Sequence, residues 1–132
     1  MKLQEVREAL GGQVVWGEDR LEQEVQVACA ADLMSDVLAF IKPEALLLTG
    51  LTSVQSVRTA DVAEVKAIVY ARGKPPEREA VELAKEKGIV VLTTRLPMFE
   101  SCGRLYARGL RGGSEAKDEM SDARRAPVLS AL

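Results

Sequence analysis

The segment Ala67–Tyr106, AIVYARGKPPEREAVELAKEKGIVVLTTRLPMFESCGRLY, constrains the fold more than any other part of the chain. Two short apolar runs, AIVY and IVVL, are each followed by a polar turn and then by a longer amphipathic stretch. Short apolar runs bounded by turn residues are the pattern of strands covered on both faces. A strand, helix, strand order makes the two strands parallel neighbours joined by a right-handed crossover. The fold class expected is therefore α/β: a three-layer α/β/α single domain with a mostly parallel central sheet.

The remaining segments extend the same pattern. Leu3, Val6 and Leu10 recur at helical spacing until Gly11-Gly12 stops them. Gln13 to Trp16 is a short apolar strand, and from Glu24 the alternation of Val25, Val27 and Cys29 with polar residues predicts a second, half-exposed strand at a sheet edge. Asp32 is placed to cap a helix whose stripe is Leu33, Met34, Val37, Leu38 and Ile41, with Pro43 beyond it. Ala45 to Thr49 is continuously apolar and belongs in the middle of the sheet. A weaker helix follows to about Ala63, then the Ala67–Tyr70 strand, a helix from about Glu77 to Lys87 ended by Gly88, the Ile89–Leu92 strand, and a helix opened by Pro97. The predicted order is α, β, β, α, β, α, β, α, β, α over residues 1–110. Residues 111–132 balance basic against acidic side chains with few large apolar ones, the composition of a polar, disordered tail.

Composition narrows function by exclusion. Of 132 residues, 47% are hydrophobic but only 4% aromatic, so the core is aliphatic and stacking platforms for bases or sugars are missing. A net charge of −2 gives no basic field to hold a phosphate backbone, so nucleic acid is not an expected partner. No apolar run approaches the length of a membrane span and the first residues lack the apolar centre of a signal peptide, so no membrane partner and a cytoplasmic location are expected. The chain has no histidine, which removes the commonest general base and the commonest metal ligand. Its two cysteines, Cys29 and Cys102, form no Cys-x-x-Cys and fall on apolar faces, reading as structural thiols. Asp32 and Asp36 are one helical turn apart, but a cap and a solvated face account for them. Trp16 and Tyr70 are the large anchors, for the core or for a subunit contact. No catalytic residue, metal ligand or cofactor is assigned.

Three strand-to-helix turns carry the candidate ligand-binding residues: Gly50, Thr52 and Ser53; Arg72, Gly73 and Lys74; Thr93, Thr94 and Arg95. If the strands are parallel, all three turns share the rim where open α/β sheets keep their ligands, and helix N-termini there favour anions. A nucleotide or other anionic metabolite is the ligand class this suggests. Helix capping by Thr52, Ser53 and Thr94 is the simpler use of the hydroxyls. Gly73-Lys74 is not a phosphate-binding P-loop, which needs glycine where Ile68 stands and Ser or Thr where Pro75 stands, and no G-x-G-x-x-G follows any strand.

The strings ALLLTGLTSVQSVRTADVAEVKAIVYARGKPPEREAVELAKEKGIVVLTTRLPMFESCGRLY resemble the DRTGG domain family over about Met1 to Leu110. The AIVYARG and ELAKEKGIVVLTT portions are also similar to the N-terminal domain of HPr kinase/phosphorylase. The resemblance implies an α/β/α domain that accompanies other modules, such as CBS-domain pyrophosphatases, phosphotransacetylases or the HPr kinase domain, and is regulatory rather than catalytic. It further implies dimer contacts of the kind such domains make in pyrophosphatases, and stand-alone versions are similar to small proteins associated with iron hydrogenase gene clusters. The Asp-Arg-Thr-Gly-Gly string itself is absent here, its place being held by Gly50-Leu51-Thr52-Ser53. The combined expectation is a non-catalytic regulatory or ligand-sensing domain forming a homodimer. The alternatives are a small enzyme acting on a phosphorylated metabolite through Arg72, Lys74 and Arg95, or an assembly module.

Overall fold

A computed structural model describes residues 1–112 of the chain. Its elements follow the predicted order: α1 (Leu3–Leu10), β1 (Gln13–Trp16), β2 (Val27–Ala30), α2 (Met34–Phe40), β3 (Leu46–Thr49), α3 (Val54–Val62), β4 (Ala67–Tyr70), α4 (Arg78–Lys87), β5 (Val90–Thr93) and α5 (Met98–Ala107), with a short 3₁₀ turn at Glu18–Arg20. A further two-residue strand, β6 (Arg111–Gly112), pairs parallel to β2. These two residues begin the stretch expected to be a tail; residues 113–132 lie outside the described residues.

The six strands form one sheet in the order β1-β5-β4-β3-β2-β6. Neighbours from β5 to β6 are parallel, and β1 alone runs antiparallel, at the edge beside β5 with Gln13 opposite Thr93. Period-two alternation then assigns side chains to two helical layers. Leu46, Leu48, Val69, Val90 and Leu92 pack with Leu3, Val6, Leu10 and Leu105 of α1 and α5. Leu47, Ile68, Tyr70 and Val91 pack with Met34, Val37, Val57, Ala60, Ala80 and Ala84 of α2, α3 and α4. Every residue of β3 and β4 is buried, as their unbroken apolar sequences require. The fold is thus an α/β single domain with a mixed, mostly parallel sheet.

Three local readings are corrected. Asp32 does not cap α2: the N-cap position is Leu33, and no side-chain cap hydrogen bond is made there. The expected five-residue stripe is only partly buried, because α2 is a seven-residue helix over the β2 side of the sheet; Met34 and Val37 are enclosed while Leu33 and Leu38 are 61% and 52% exposed. β2 is not the edge, since β6 lies outside it.

The large anchors separate as well. Tyr70 is fully buried and its hydroxyl shares a 2.8 Å hydrogen bond with Ser56. Trp16 is half-buried beneath the Arg20 guanidinium, 4.9 Å from the ring centre.

Candidate functional site

Because β3, β4 and β5 are parallel, their C-terminal ends and the turns that follow lie on one rim. The nine candidate residues are brought to that rim but divide into two environments. At the β3 end, the Asp32 carboxylate reaches across from the β2–α2 connection. Its Oδ1 accepts the Gly50 N–H at 2.7 Å and the Thr49 hydroxyl at 3.2 Å. The Thr49 Oγ1 in turn accepts the Leu51 N–H at 3.1 Å. The Thr52 carbonyl accepts the Glu77 N–H at 3.0 Å, and Ser53 occupies the α3 N-cap position without a side-chain cap bond. Two donors that could receive an anion here, the Gly50 N–H and the Thr49 hydroxyl, already hold the protein's own carboxylate.

At the β4 and β5 ends the Arg72, Gly73 and Thr94 N–H groups are also occupied, but the charge is not. Arg72 and Gly73 both take left-handed backbone, with φ of 67° and 70°, a conformation that costs a non-glycine residue of order 1 kcal/mol or more. Two hydrogen bonds from their N–H groups, to the Leu96 carbonyl at 2.9 Å and the Thr94 carbonyl at 2.7 Å, staple this turn to the one after β5. Thr94 is buried and structural: its hydroxyl donates to the Leu10 carbonyl at 2.8 Å and accepts the Leu96 N–H at 3.2 Å. The helix caps that follow are Glu77 and Pro97, so no rim hydroxyl serves as a side-chain cap.

Arg72, Lys74 and Arg95 are exposed and, among the described residues, none is within ion-pair distance of a carboxylate. Beside them opens a groove of about 440 Å³ between the β1–β5 pair and the start of α4. Gly73, Thr93, Thr94 and Arg95 line it; Arg72 and Lys74 belong to the same turn at its lip. Gly50, Thr52 and Ser53 do not line it. No Asp or Glu does either, among the described residues.

The remaining walls are residues that sequence reasoning did not select: Gly11, Gln13 and Val15 from α1 and β1, and Pro75, Pro76 and Val81 from α4 and its entry. The one available signal was Gly11-Gly12. Gly11 closes α1 in the left-handed conformation, and a Cβ on Gly12 would come within 3.0 Å of the Thr93 carbonyl. Only glycine lets β1 turn back this tightly against β5 and so form the groove's outer wall.

The cysteines do not add a reactive centre. Cys29 is in register with Leu47, on the α2–α4 side of the sheet, whereas Cys102 belongs to α5 on the opposite side. Burial pushes both thiols above their ordinary value, with the Asp36 carboxylate adding to the shift at Cys29, so neither is an activated thiolate. No cluster of three or more metal-ligating side chains occurs among the described residues. No helix among them is long and apolar enough to cross a membrane.

The DRTGG domain family model matches residues 5–107. Among solved structures, the fold is similar to the crystal structure of the CBS and DRTGG domains of the regulatory region of Clostridium perfringens pyrophosphatase, complexed with its activator diadenosine tetraphosphate. The TM-score is 0.63 at 18% sequence identity, over 79% of this chain and 45% of that one, so the chain corresponds to under half of the structure it resembles. No curated protein matches the sequence.

Proposed function

Because the chain belongs to the DRTGG domain family, we propose that it is a non-catalytic regulatory module that senses an anionic metabolite, a nucleotide being the leading class, at the groove between β1, β5 and α4. The observation that carries this reading is the groove's charge. Arg95 lines it, Arg72 and Lys74 flank it, and among the described residues no carboxylate neutralises any of the three and no acidic group lines the walls. Cations left unpaired around a concavity, on a chain of net charge −2, favour an anionic occupant. The regulatory region of the pyrophosphatase supplies a parallel, since that structure holds a nucleotide activator.

The Arg72, Gly73 and Thr94 N–H groups are consumed internally, so side chains are the main means of anion capture, and Arg95 is suited to it because a guanidinium can meet two phosphate oxygens at once. Ligand binding is expected to raise the melting temperature by an amount that grows with the logarithm of ligand concentration above its Kd. A thermal-shift panel of nucleotides, sugar phosphates and carboxylic acids tests this, with Arg95→Ala as control. A panel that leaves the wild-type melting point unchanged throughout rules the proposal out.

Self-association is part of the same proposal. Phe99 and Tyr106, two turns apart on α5, are 83% and 61% exposed, apolar area of the kind that favours contact with another chain. Light scattering on wild type and Phe99→Glu tests it: a monomeric mass for the wild type at high micromolar concentration would remove the dimer. Turnover of a phosphorylated metabolite lost in Lys74→Ala would instead favour an enzyme.

A further inference from the structure

The groove's lining is partly polar and partly apolar, and this mixture bears on what kind of anion it takes. Gln13, Thr93 and Arg95 gather hydrogen-bond donors at the rim end. Val15, farther along β1, and Pro75, Pro76 and Val81, from the rim turn into α4, add apolar surface and, at the two prolines, no backbone N–H. Val15 is 40% exposed on the edge strand β1, so its side chain is available to a ligand.

Size points the same way. At about 30 Å³ per water, 440 Å³ holds on the order of fifteen waters, far more than a bare phosphate displaces, and it falls within the range of about 300–1,000 Å³ typical of small-molecule sites. A small inorganic anion at Arg95 would leave the valine and proline walls wet. An organic ester whose body covers those walls would exclude that water, adding hydrophobic gain to the charge contact.

Resting on the reading of this groove as an anion-sensing site, we propose that its ligand is a nucleoside phosphate seated in one direction. The phosphate meets Arg95, with Lys74 and Arg72 at the lip, and the sugar and base lie along Val15, Pro75-Pro76 and Val81. In this seating the two valines are specificity-determining residues, separating phosphate esters with an apolar body from bare phosphate or pyrophosphate. Among the described residues no aromatic side chain lines the groove, so base identity is read weakly, by contact rather than by stacking.

Isothermal titration of the full chain with AMP, ADP, ATP, ribose 5-phosphate and pyrophosphate tests the seating, on wild type, Arg95→Ala and the double variant Val15→Ser/Val81→Ser. The expected result is that a nucleotide binds at least roughly tenfold more tightly than pyrophosphate, corresponding to a few buried methyl groups. The double-serine variant is expected to lose most of that advantage while binding pyrophosphate as wild type does, and Arg95→Ala to weaken both ligands. Amide shifts on the wild-type protein give a readout independent of variant folding: nucleotide should move Val15 and Val81, and pyrophosphate should not. Equal affinity for pyrophosphate and nucleotide, or nucleotide binding that leaves the two valines unmoved, overturns the seating while the anion-sensing reading stands. Binding of no anion at all overturns that reading, and the seating with it.

Discussion

The ends of β3 and β5 lie on the same rim and carry similar turn residues, yet one is closed and the other open. At β3 the protein supplies its own anion: Asp32 takes the Gly50 N–H and the Thr49 hydroxyl. At β5 the turn hydroxyl of Thr94 is directed inward to the Leu10 carbonyl, and the nearby cations have no carboxylate among the described residues. Hydroxyls and glycines after parallel strands therefore do not by themselves mark a binding site. What separates the two ends is whether the charge beside them is already balanced.

Breaking the open end should have the largest effect on ligand binding. Arg95→Ala removes the cation that lines the groove and is expected to weaken anion binding by roughly tenfold to a hundredfold, the scale of a charge-assisted contact. Because Arg95 is exposed, the melting point of the unliganded protein should stay within about 2 °C of wild type. A titration in which the variant binds as tightly as wild type would place the anion elsewhere.

Next in size is Thr94→Val, which probes the hydroxyl that makes the β5 end structural. The substitution leaves the Leu10 carbonyl and the Leu96 N–H without their partner in a buried site. It should cost about 2 kcal/mol, roughly 8 °C in melting temperature, and loosen the link between α1 and the groove. If stability is retained, that hydroxyl is not what anchors the turn.

The closed end gives a smaller effect with an added consequence. Asp32→Ala frees the Gly50 N–H and the Thr49 hydroxyl at a partly solvated site, and is expected to cost about 1 kcal/mol. It also removes the charge that repels other anions, so phosphate should stabilise this variant more than it does the wild type. Equal phosphate shifts in the two proteins would show that Asp32 does not occupy an anion position.

The same contrast explains what the sequence made legible. Each helix and strand from α1 to α5 is written locally, in apolar runs for β3, β4 and β5 and in 3.6-residue spacing for the helices, so order and type could be read directly. The site depends on pairings that no local pattern records. Gln13 meets Thr93 across eighty residues of chain, which brings β1 to the far edge and makes Gln13 and Val15 part of a groove with Arg95. Asp32 is locally a good cap, but its carboxylate is drawn to the β3 turn by partners 17 and 18 residues away. Lys74 and Arg95 were visible as cations and Gly73 as a turn residue; that the two cations have no carboxylate partner among the described residues while the β3 end holds Asp32 is a property of the tertiary structure alone.

The smallest expected effect distinguishes the two helical layers. Cys29 and Cys102 sit on opposite faces of the sheet, and burial holds both thiols above the ordinary value of 9.0. Burial likewise raises the Tyr70 hydroxyl above 10.0, opposed in part by its bond to Ser56. All three are acids whose neutral form the fold prefers, so the unfolded chain loses its protons first. Their contribution to stability is therefore complete below the unfolded values and is lost as pH rises through and beyond them. Melting temperature should be insensitive to these groups up to about pH 8 and then decline in two stages, the thiols first and the phenol above about pH 10. Replacing both cysteines by alanine should abolish the first stage and leave the second. Tyr70→Phe should do the reverse, at the added cost of the Ser56 hydrogen bond, about 1 kcal/mol at every pH. A first stage that survives in the double-alanine protein would mean that the thiols ionise equally in both states, and that the two half-buried cysteine sites are wetter than the packing around them indicates.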